Sequence, residues 1–408
     1  MAVEGTSQTS QGNAAALGRL IVTASRLWDG RQLIADPVLE IDEGRVVGFW
    51  PLAEREIPSW ATGAALLDFP DATLAPAFLD VHIHGAAGHD VMEATPEALA
   101  KVSRFLAGRG TGSFLATTVT APLDATLRSL AGLARRIEEA RAADWPGAQP
   151  LGLHLEGPFL SHAKRGVHPP EHLLAPEIAT FDRFFDAAEG HIRLMTLAPE
   201  LPGAAELAAH ATAKGVRVSV GHSNATAAET QRSIAAGAVS ATHTFNAMRP
   251  LDHREPGILG TVLTTDSLYA ELICDGIHVH PSLVPLWWRA KGSQRAILIT
   301  DAMSATGMPD GEYMLGEFAV QVADGRATAN GVLAGSVLTL DRALKNFVAF
   351  TGVTIESALP LVTQNPAAMT GFSEFAGTIR EGESANFVAL DGSGALLASV
   401  IRGQLRRV

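Results

Sequence analysis

Eight short apolar runs recur along the chain, at residues 77–81, 113–119, 151–155, 192–197, 216–220, 238–241, 269–274 and 296–300. Between them lie longer segments, such as 123–143 and 204–214, whose Ala, Leu, Arg and Glu positions follow helical spacing. Continuous apolar runs alternating with amphipathic helices are the pattern of strands buried on both faces. Eight such units predict a (β/α)8 barrel, a parallel sheet closed on itself inside a ring of helices. A doubly wound sheet is the architectural alternative, but it seldom needs all eight.

The pattern differs outside this region. Residues 19 to about 72 read as short strands, at 19–23, 38–41 and 45–49, with Asp42-Glu43-Gly44 as a hairpin turn. After the eighth run come a strand-rich insertion at about 312–333 and two helices at about 339–351 and 355–369. The end, 377–408, returns to short strands with turns at Glu381-Gly382 and Asp391-Gly392. The two β-rich ends are expected to pair as one small sandwich built from both termini. The expected organisation is a disordered tail over 1–18, a sandwich part over 19–73, the barrel over 74–373 and the second sandwich part over 374–408.

Composition narrows the class. The chain has 408 residues, 47% hydrophobic and 18% charged, which suits a compact enzyme with a large core. Its formal net charge of −12 argues against nucleic acid as a partner, since that needs a basic surface. An anionic substrate would have to be met by a few local cations. The single cysteine, Cys274, excludes an internal disulfide and fits a reducing compartment. No stretch approaches the roughly 20 apolar residues of a membrane span. The first 18 residues, rich in Ser, Thr, Gln, Gly and Ala, lack the apolar run of a signal peptide. A cytoplasmic enzyme is expected.

In a (β/α)8 barrel the chemistry sits at the C-terminal ends of the strands. The first run ends in His82 and His84, the third in Glu156, the fifth in His222, the sixth in His243 and the eighth in Asp301. His82 and His84 alternate along a strand and so share a face, where two neutral imidazoles can grip one cation. Four histidines and two carboxylates on one rim suit one or two divalent metals with positions left open for water. Any one of these residues alone would be an ordinary polar strand end, and Asp301 alone a helix cap. Six together point to a metal centre. His154, two residues before Glu156, faces the same way but deeper and reads as a core group. His278 and His280 form a second pair in a loop, suited to substrate rather than metal. His89, His162, His172, His191, His210 and His253 show no pattern.

Several segments, taken in order, resemble the amidohydrolase superfamily and within it the N-acetylglucosamine-6-phosphate deacetylase family. They are Leu-His-Leu-Glu-Gly-Pro-Phe at 153–159, Lys-Arg-Gly-Val-His at 164–168, Gly-His-Ser-Asn-Ala-Thr at 221–226 and Ala-Thr-His-Thr-Phe-Asn-Ala-Met at 241–248. Arg-Glu-Pro-Gly at 254–257, Asp-Gly-Ile-His at 275–278, Thr-Asp-Ala at 300–302 and Asn-Pro-Ala at 365–367 continue the set. One alone would be weak, but the ordered set spans nearly the whole chain and is highly specific.

The resemblance implies a role for each matching position. Glu156, His222 and His243 would hold the main metal. His82 and His84 would hold a second one, with Glu156 or solvent bridging; some members of the family lack this pair and hold one metal. Asp301 is also counted among the ligands. The bridging lysine of other amidohydrolases has no counterpart, because the third run ends in Glu. The cation is expected to be zinc first, with iron, manganese or cobalt as alternatives. Asp301 would be the general base and then the acid, and His168 would polarise the acetyl carbonyl. Asn246, the backbone of Ala247, Arg254 and His278 would contact phosphate and sugar. Gly157, Val167, Asp275, Leu333, Ala334 and Gly335 would complete the substrate lining. Lys164 and Arg165 add an attractive local field. Arg254 in this family can come from the partner subunit, which implies a homodimer. The implied reaction is metal-dependent deacetylation of N-acetylglucosamine 6-phosphate to glucosamine 6-phosphate and acetate. The alternatives are the galactosamine epimer as substrate, or a dihydroorotase-like or dipeptidase-like hydrolase.

Overall fold

A computed structural model describes residues 18–142 and 145–407; the tail expected over 1–18 lies outside the described residues apart from Gly18. Eight parallel strands run in sequence order: β1 Phe78–Ile83, β2 Thr111–Thr118, β3 Gln149–Glu156, β4 Ile192–Leu197, β5 Arg217–Val220, β6 Ala238–Ala241, β7 Tyr269–Ile273 and β8 Ala296–Ile299. They coincide with the eight apolar runs to within a few residues. Side chains on both strand faces are buried, as in β1 and β8, because helices cover the outside and the barrel fills its own inside. A helix follows each strand, from Pro96–Gly108 after β1 to Leu340–Thr351 after β8.

The barrel closes at the C-terminal ends of its first and last strands. Asp301 donates its backbone N–H to the His82 carbonyl at 2.9 Å, and His84 donates to the Ala302 carbonyl at 2.8 Å. Inside the seam, the Thr300 hydroxyl donates to Asp80 Oδ2 at 2.6 Å.

The two β-rich ends do join. Leu20–Trp28, Leu33–Ala35, Pro37–Asp42, Arg45–Pro51 and Leu66–Pro76 share one eight-stranded sheet with Phe387–Leu390, Leu396–Ile401 and Gln404–Arg407. The sheet is curled rather than split in two. The backbone at Val46, near one edge, pairs with Glu383 and Gly382, which lead into the C-terminal strands. Val46 and Val400, from opposite ends of the strand order, then share one apolar cluster with Leu39, Leu74 and Phe387.

The insertion is a four-stranded antiparallel meander, Gly311–Leu315, Phe318–Ala323, Arg326–Ala329 and Val332–Leu333, with its own small apolar cluster. The single helix expected at 355–369 is broken into Ile355–Ala358, a 3-10 turn Leu359–Val362 and Gln364–Thr370. Pro360 lacks an amide hydrogen, and Thr363, at φ −129° and ψ −85°, is not helical. Among the described residues no single helix is long and apolar enough to cross a membrane.

Candidate active site

The strand ends bring the six expected rim residues into one buried cluster. Glu156 lies at its centre. Its Oε1 stands 3.3 Å from His82 Nε2, 3.3 Å from His222 Nε2 and 3.2 Å from His243 Nε2. Its Oε2 stands 3.2 Å from His84 Nε2. Asp301 Oδ1 lies 3.1 Å from His84 Nε2 and 3.4 Å from His82 Nε2.

Local backbone geometry turns three of these side chains inward. His222 (φ +46°), His243 (φ +30°) and Asp301 (φ +51°) each follow a strand in the left-handed region. Non-glycine residues there cost about 1–3 kcal/mol each, so the surrounding hydrogen bonds must hold them. Ser161 N–H donates to the His222 carbonyl at 3.0 Å, and Asn246 N–H to that of His243 at 3.0 Å.

The donor set fits divalent cations. His82, His84 and Asp301 form one group and Glu156, His222 and His243 another, each with ligand atoms within 4.8 Å of one another. Separations of 3.0–3.4 Å across the cluster match the roughly 3.4 Å edge of a tetrahedron with bonds of roughly 2.1 Å. His82 Nε2 is buried inside this cluster without a hydrogen bond among the described residues. His222 Nδ1 donates to the Lys164 carbonyl at 2.9 Å and His84 Nδ1 to the Thr117 carbonyl at 3.2 Å, so that in the neutral form a cation requires each ring turns its Nε2 lone pair inward.

Charge is polarised by proximity. Burial opposes ionisation of His82 and His84, but Glu156 and Asp301 outweigh it, holding His82 well above the ordinary histidine range and His84 at about 9. Burial alone would raise the two carboxylates. The imidazoles reverse that, taking Glu156 well below its usual range and Asp301 to about 2.

His168 behaves differently. Burial, reinforced by His222, pushes it down to about 3, so it is neutral. Thr120 N–H donates to His168 Nδ1 at 3.3 Å, and the Thr120 hydroxyl lies 2.8 Å from the same atom. The proton therefore sits on Nε2, as a donor beside Glu156 Oε2 at 3.7 Å.

A cavity of about 360 Å³ opens over this cluster. Of the expected substrate residues, Val167, His168, Asn246, Ala247, His278, Leu333 and Gly335 line it, beside His84, Glu156, His222, His243 and Asp301. Asp275 stands behind His278, its Oδ2 2.6 Å from His278 Nδ1. Gly157 and Ala334 are buried off the lining. Arg254 is exposed and does not line the cavity of its own chain. His154 is a core group, its Nε2 2.8 Å from Thr196 Oγ1. Of the loop pair only His278 meets the cavity; His280 caps a 3-10 turn through Ser282.

Sequence reasoning missed the supports. Thr117 and Thr120 orient histidines, while Asp80 and Glu271 are buried carboxylates behind His82. Their signal was present: an acidic residue within an apolar strand run is seldom buried unless it has a partner. Lys164 is the only lysine or arginine among the described residues lining the cavity. Leu315 and Val332 of the meander also reach it, although their spacing from the strand ends gives no sign of this.

A (β/α)8 barrel with a carboxylate–imidazole cation centre at its C-terminal rim is the architecture of metal-dependent hydrolases, and the sequence matches the amidohydrolase family over residues 73–406. The chain belongs to that family. It is similar to an N-acetylgalactosamine-6-phosphate deacetylase of Escherichia coli O157:H7, with 39% identity covering 94% of this chain and 98% of that one. An N-acetylglucosamine-6-phosphate deacetylase of Bacillus subtilis is 37% identical, over 82% of this chain and 85% of the relative. Among solved structures, a mutant N-acetyl-D-glucosamine-6-phosphate deacetylase from Mycobacterium smegmatis, in complex with N-acetyl-D-glucosamine-6-phosphate, superposes with a TM-score of 0.87. It shares 34% identity, and the match covers 95% of this chain and 99% of that chain.

Proposed function

We propose that this chain hydrolyses the acetamide of N-acetylglucosamine 6-phosphate, releasing acetate and glucosamine 6-phosphate. The observation that carries the reading is the position of Asp301. Its carboxylate is deprotonated, faces the cavity and touches both His82 and His84 beside Glu156. The family match and the deacetylase relatives supply the substrate class.

Glu156, His222 and His243 would hold one divalent cation and His82, His84 and Asp301 a second, which would supply Lewis-acid chemistry and make water easier to deprotonate. Zinc suits this imidazole–carboxylate set, and iron, manganese and cobalt are accepted by the same donors. The chain's own residues do the rest. Asp301 takes the proton of the attacking water and later passes it to the leaving amine. His168, neutral with its proton on Nε2, donates to the acetyl oxygen as negative charge develops there. Asn246, the Ala247 backbone and His278 hold the sugar phosphate, with Lys164 as a nearby cation. Arg254 of the partner subunit completes the phosphate site in a homodimer, since Arg254 is exposed and off its own cavity. Residues 74–373 form the hydrolase unit, and 19–73 with 374–408 the small β domain. The single, buried Cys274 supports a cytoplasmic setting.

The epimeric substrate is a second reading, motivated by the 39% identity to the N-acetylgalactosamine-6-phosphate deacetylase. Acetate release is measured on both sugar phosphates after chelation and single-cation add-back. The glucosamine-type substrate is expected to be turned over faster, and only with cation present. No release from either sugar phosphate overturns the proposal, and a reversed preference assigns the epimer.

A further inference from the structure

Four imidazoles face the cation centre, and they are not all backed alike. His84 and His222 donate from Nδ1 to neutral backbone carbonyls. His243 Nδ1 is buried with no partner among the described residues. Only His82 has a carboxylate behind it: Glu271 Oε2 lies 3.4 Å from His82 Nδ1.

Glu271 stands in the middle of β7, between Ala270 and Leu272, with no exposed surface. Burying a carboxylate in a barrel core is unfavourable unless the group is paired. Its partners here are His82 Nδ1 and the backbone N–H of His243, which donates to the same Oε2 at 3.4 Å. Its Oε1 has no hydrogen-bond partner among the described residues. On the other side of His82, Asp80 Oδ1 accepts the His82 backbone N–H at 3.2 Å. His82 is thus held at ring and backbone by two buried acids, neither of which the proposed mechanism uses.

We propose that Glu271 is a positioning residue for the His82–His84–Asp301 half of the centre. By accepting a hydrogen bond from Nδ1 it favours, in the neutral imidazole that a cation requires, the tautomer whose Nε2 lone pair faces the centre beside Glu156 and Asp301. A carboxylate behind an imidazole also strengthens it as a ligand, where a carbonyl does so less. The same oxygen, bonded to His243 N–H, ties this half to the Glu156–His222–His243 half. The inference rests on the reading that the centre holds divalent cations.

The test is zinc titration of the stripped full-length protein against a chromophoric chelator, with stoichiometry read by native mass spectrometry. Wild type takes up two ions. Glu271→Gln weakens one site by about 10- to 100-fold and leaves the other unchanged, the range typical of partners behind metal ligands. In a His82→Asn background the same substitution changes nothing further, because its effect passes through His82. Nitrogen-15 spectra of the zinc-loaded wild type place the single His82 proton on Nδ1. If Glu271→Gln does not melt cooperatively, Glu271→Asp is read in the same titration and lowers the same site by a smaller factor. Unchanged affinities, equal loss at both sites, the same loss without His82, or a wild type binding one ion would each overturn the proposal. Acetate release by wild type is scored separately. Two-ion binding without deacetylation removes the proposed function and leaves the role of Glu271 standing.

Discussion

Asp301 and His82 meet twice. The Asp301 backbone N–H donates to the His82 carbonyl at 2.9 Å, and Asp301 Oδ1 lies 3.4 Å from His82 Nε2. The seam that closes the barrel is also the contact that joins the proposed acid/base to the histidine pair. The same two residues therefore belong both to the barrel seam and to the site.

Asp301→Asn keeps this backbone seam and removes only the proton acceptor. Turnover is expected to fall by about 10²–10⁴, the usual share of a general base. The cation on Glu156, His222 and His243 stays bound. Acetate release together with metal analysis checks both halves, and near-normal kcat removes Asp301 from the mechanism.

His168 is neutral because burial and His222 disfavour its charge, and Thr120 N–H fixes its proton on Nε2. His168→Phe removes the donor and should lower kcat by about 10²–10³, as loss of one oxyanion donor does. KM should change little. A rise in KM at constant kcat would make His168 a binding group only.

Gly335 lines the cavity, but its backbone explains its identity better. It has φ +61°, and an added Cβ would lie 2.9 Å from the Asp301 carbonyl oxygen. That carbonyl accepts the Ser336 N–H at 2.7 Å. Gly335→Ala must strain the chain or displace Asp301, so kcat is expected to drop at least tenfold and the melting temperature to fall. A variant with unchanged kcat would show that the loop adjusts without moving Asp301.

Stripping cations should leave an alkaline weakness. The pKa of His84 is about 9 in the fold against about 6.5 unfolded. Its ion pairs stabilise fully below pH ~6.5, and that contribution is lost as pH rises towards 9. A bound cation needs neutral imidazole, so it replaces these pairs and releases protons. Melting of the chelated protein should therefore drop between pH 6.5 and 9, and added zinc should recover more stability at pH 9. At a cation concentration 100 times Kd the recovery is about 2.7 kcal/mol. Calorimetric scans showing a flat or rising profile for the chelated protein would contradict this assignment.

Much of the molecule was legible in the order of its residues. Continuous apolar runs marked eight strands, because a barrel strand is buried on both faces and carries no alternation to hide it. The period of two along a strand put His82 and His84 on one face, and strand ends located Glu156, His222, His243 and Asp301. The β-rich termini announced a shared small domain. What those patterns lacked was the third dimension. That Val46 and Val400 would share a core follows from a curl set by hydrogen bonds between residues more than 300 positions apart.

By itself, then, the sequence determined the element types, their alternation and the set of candidate metal-binding side chains, since these follow from local periodicity and residue chemistry. The tertiary structure decided what stands behind and around them. It set Glu271 and Asp80 against His82, Thr120 against His168 and Gly335 against Asp301, and it left Arg254 outside the cavity of its own chain. Such pairings join distant strands and loops through single hydrogen bonds or close approaches. No repeating pattern encodes them, and only closure of the barrel brings them together.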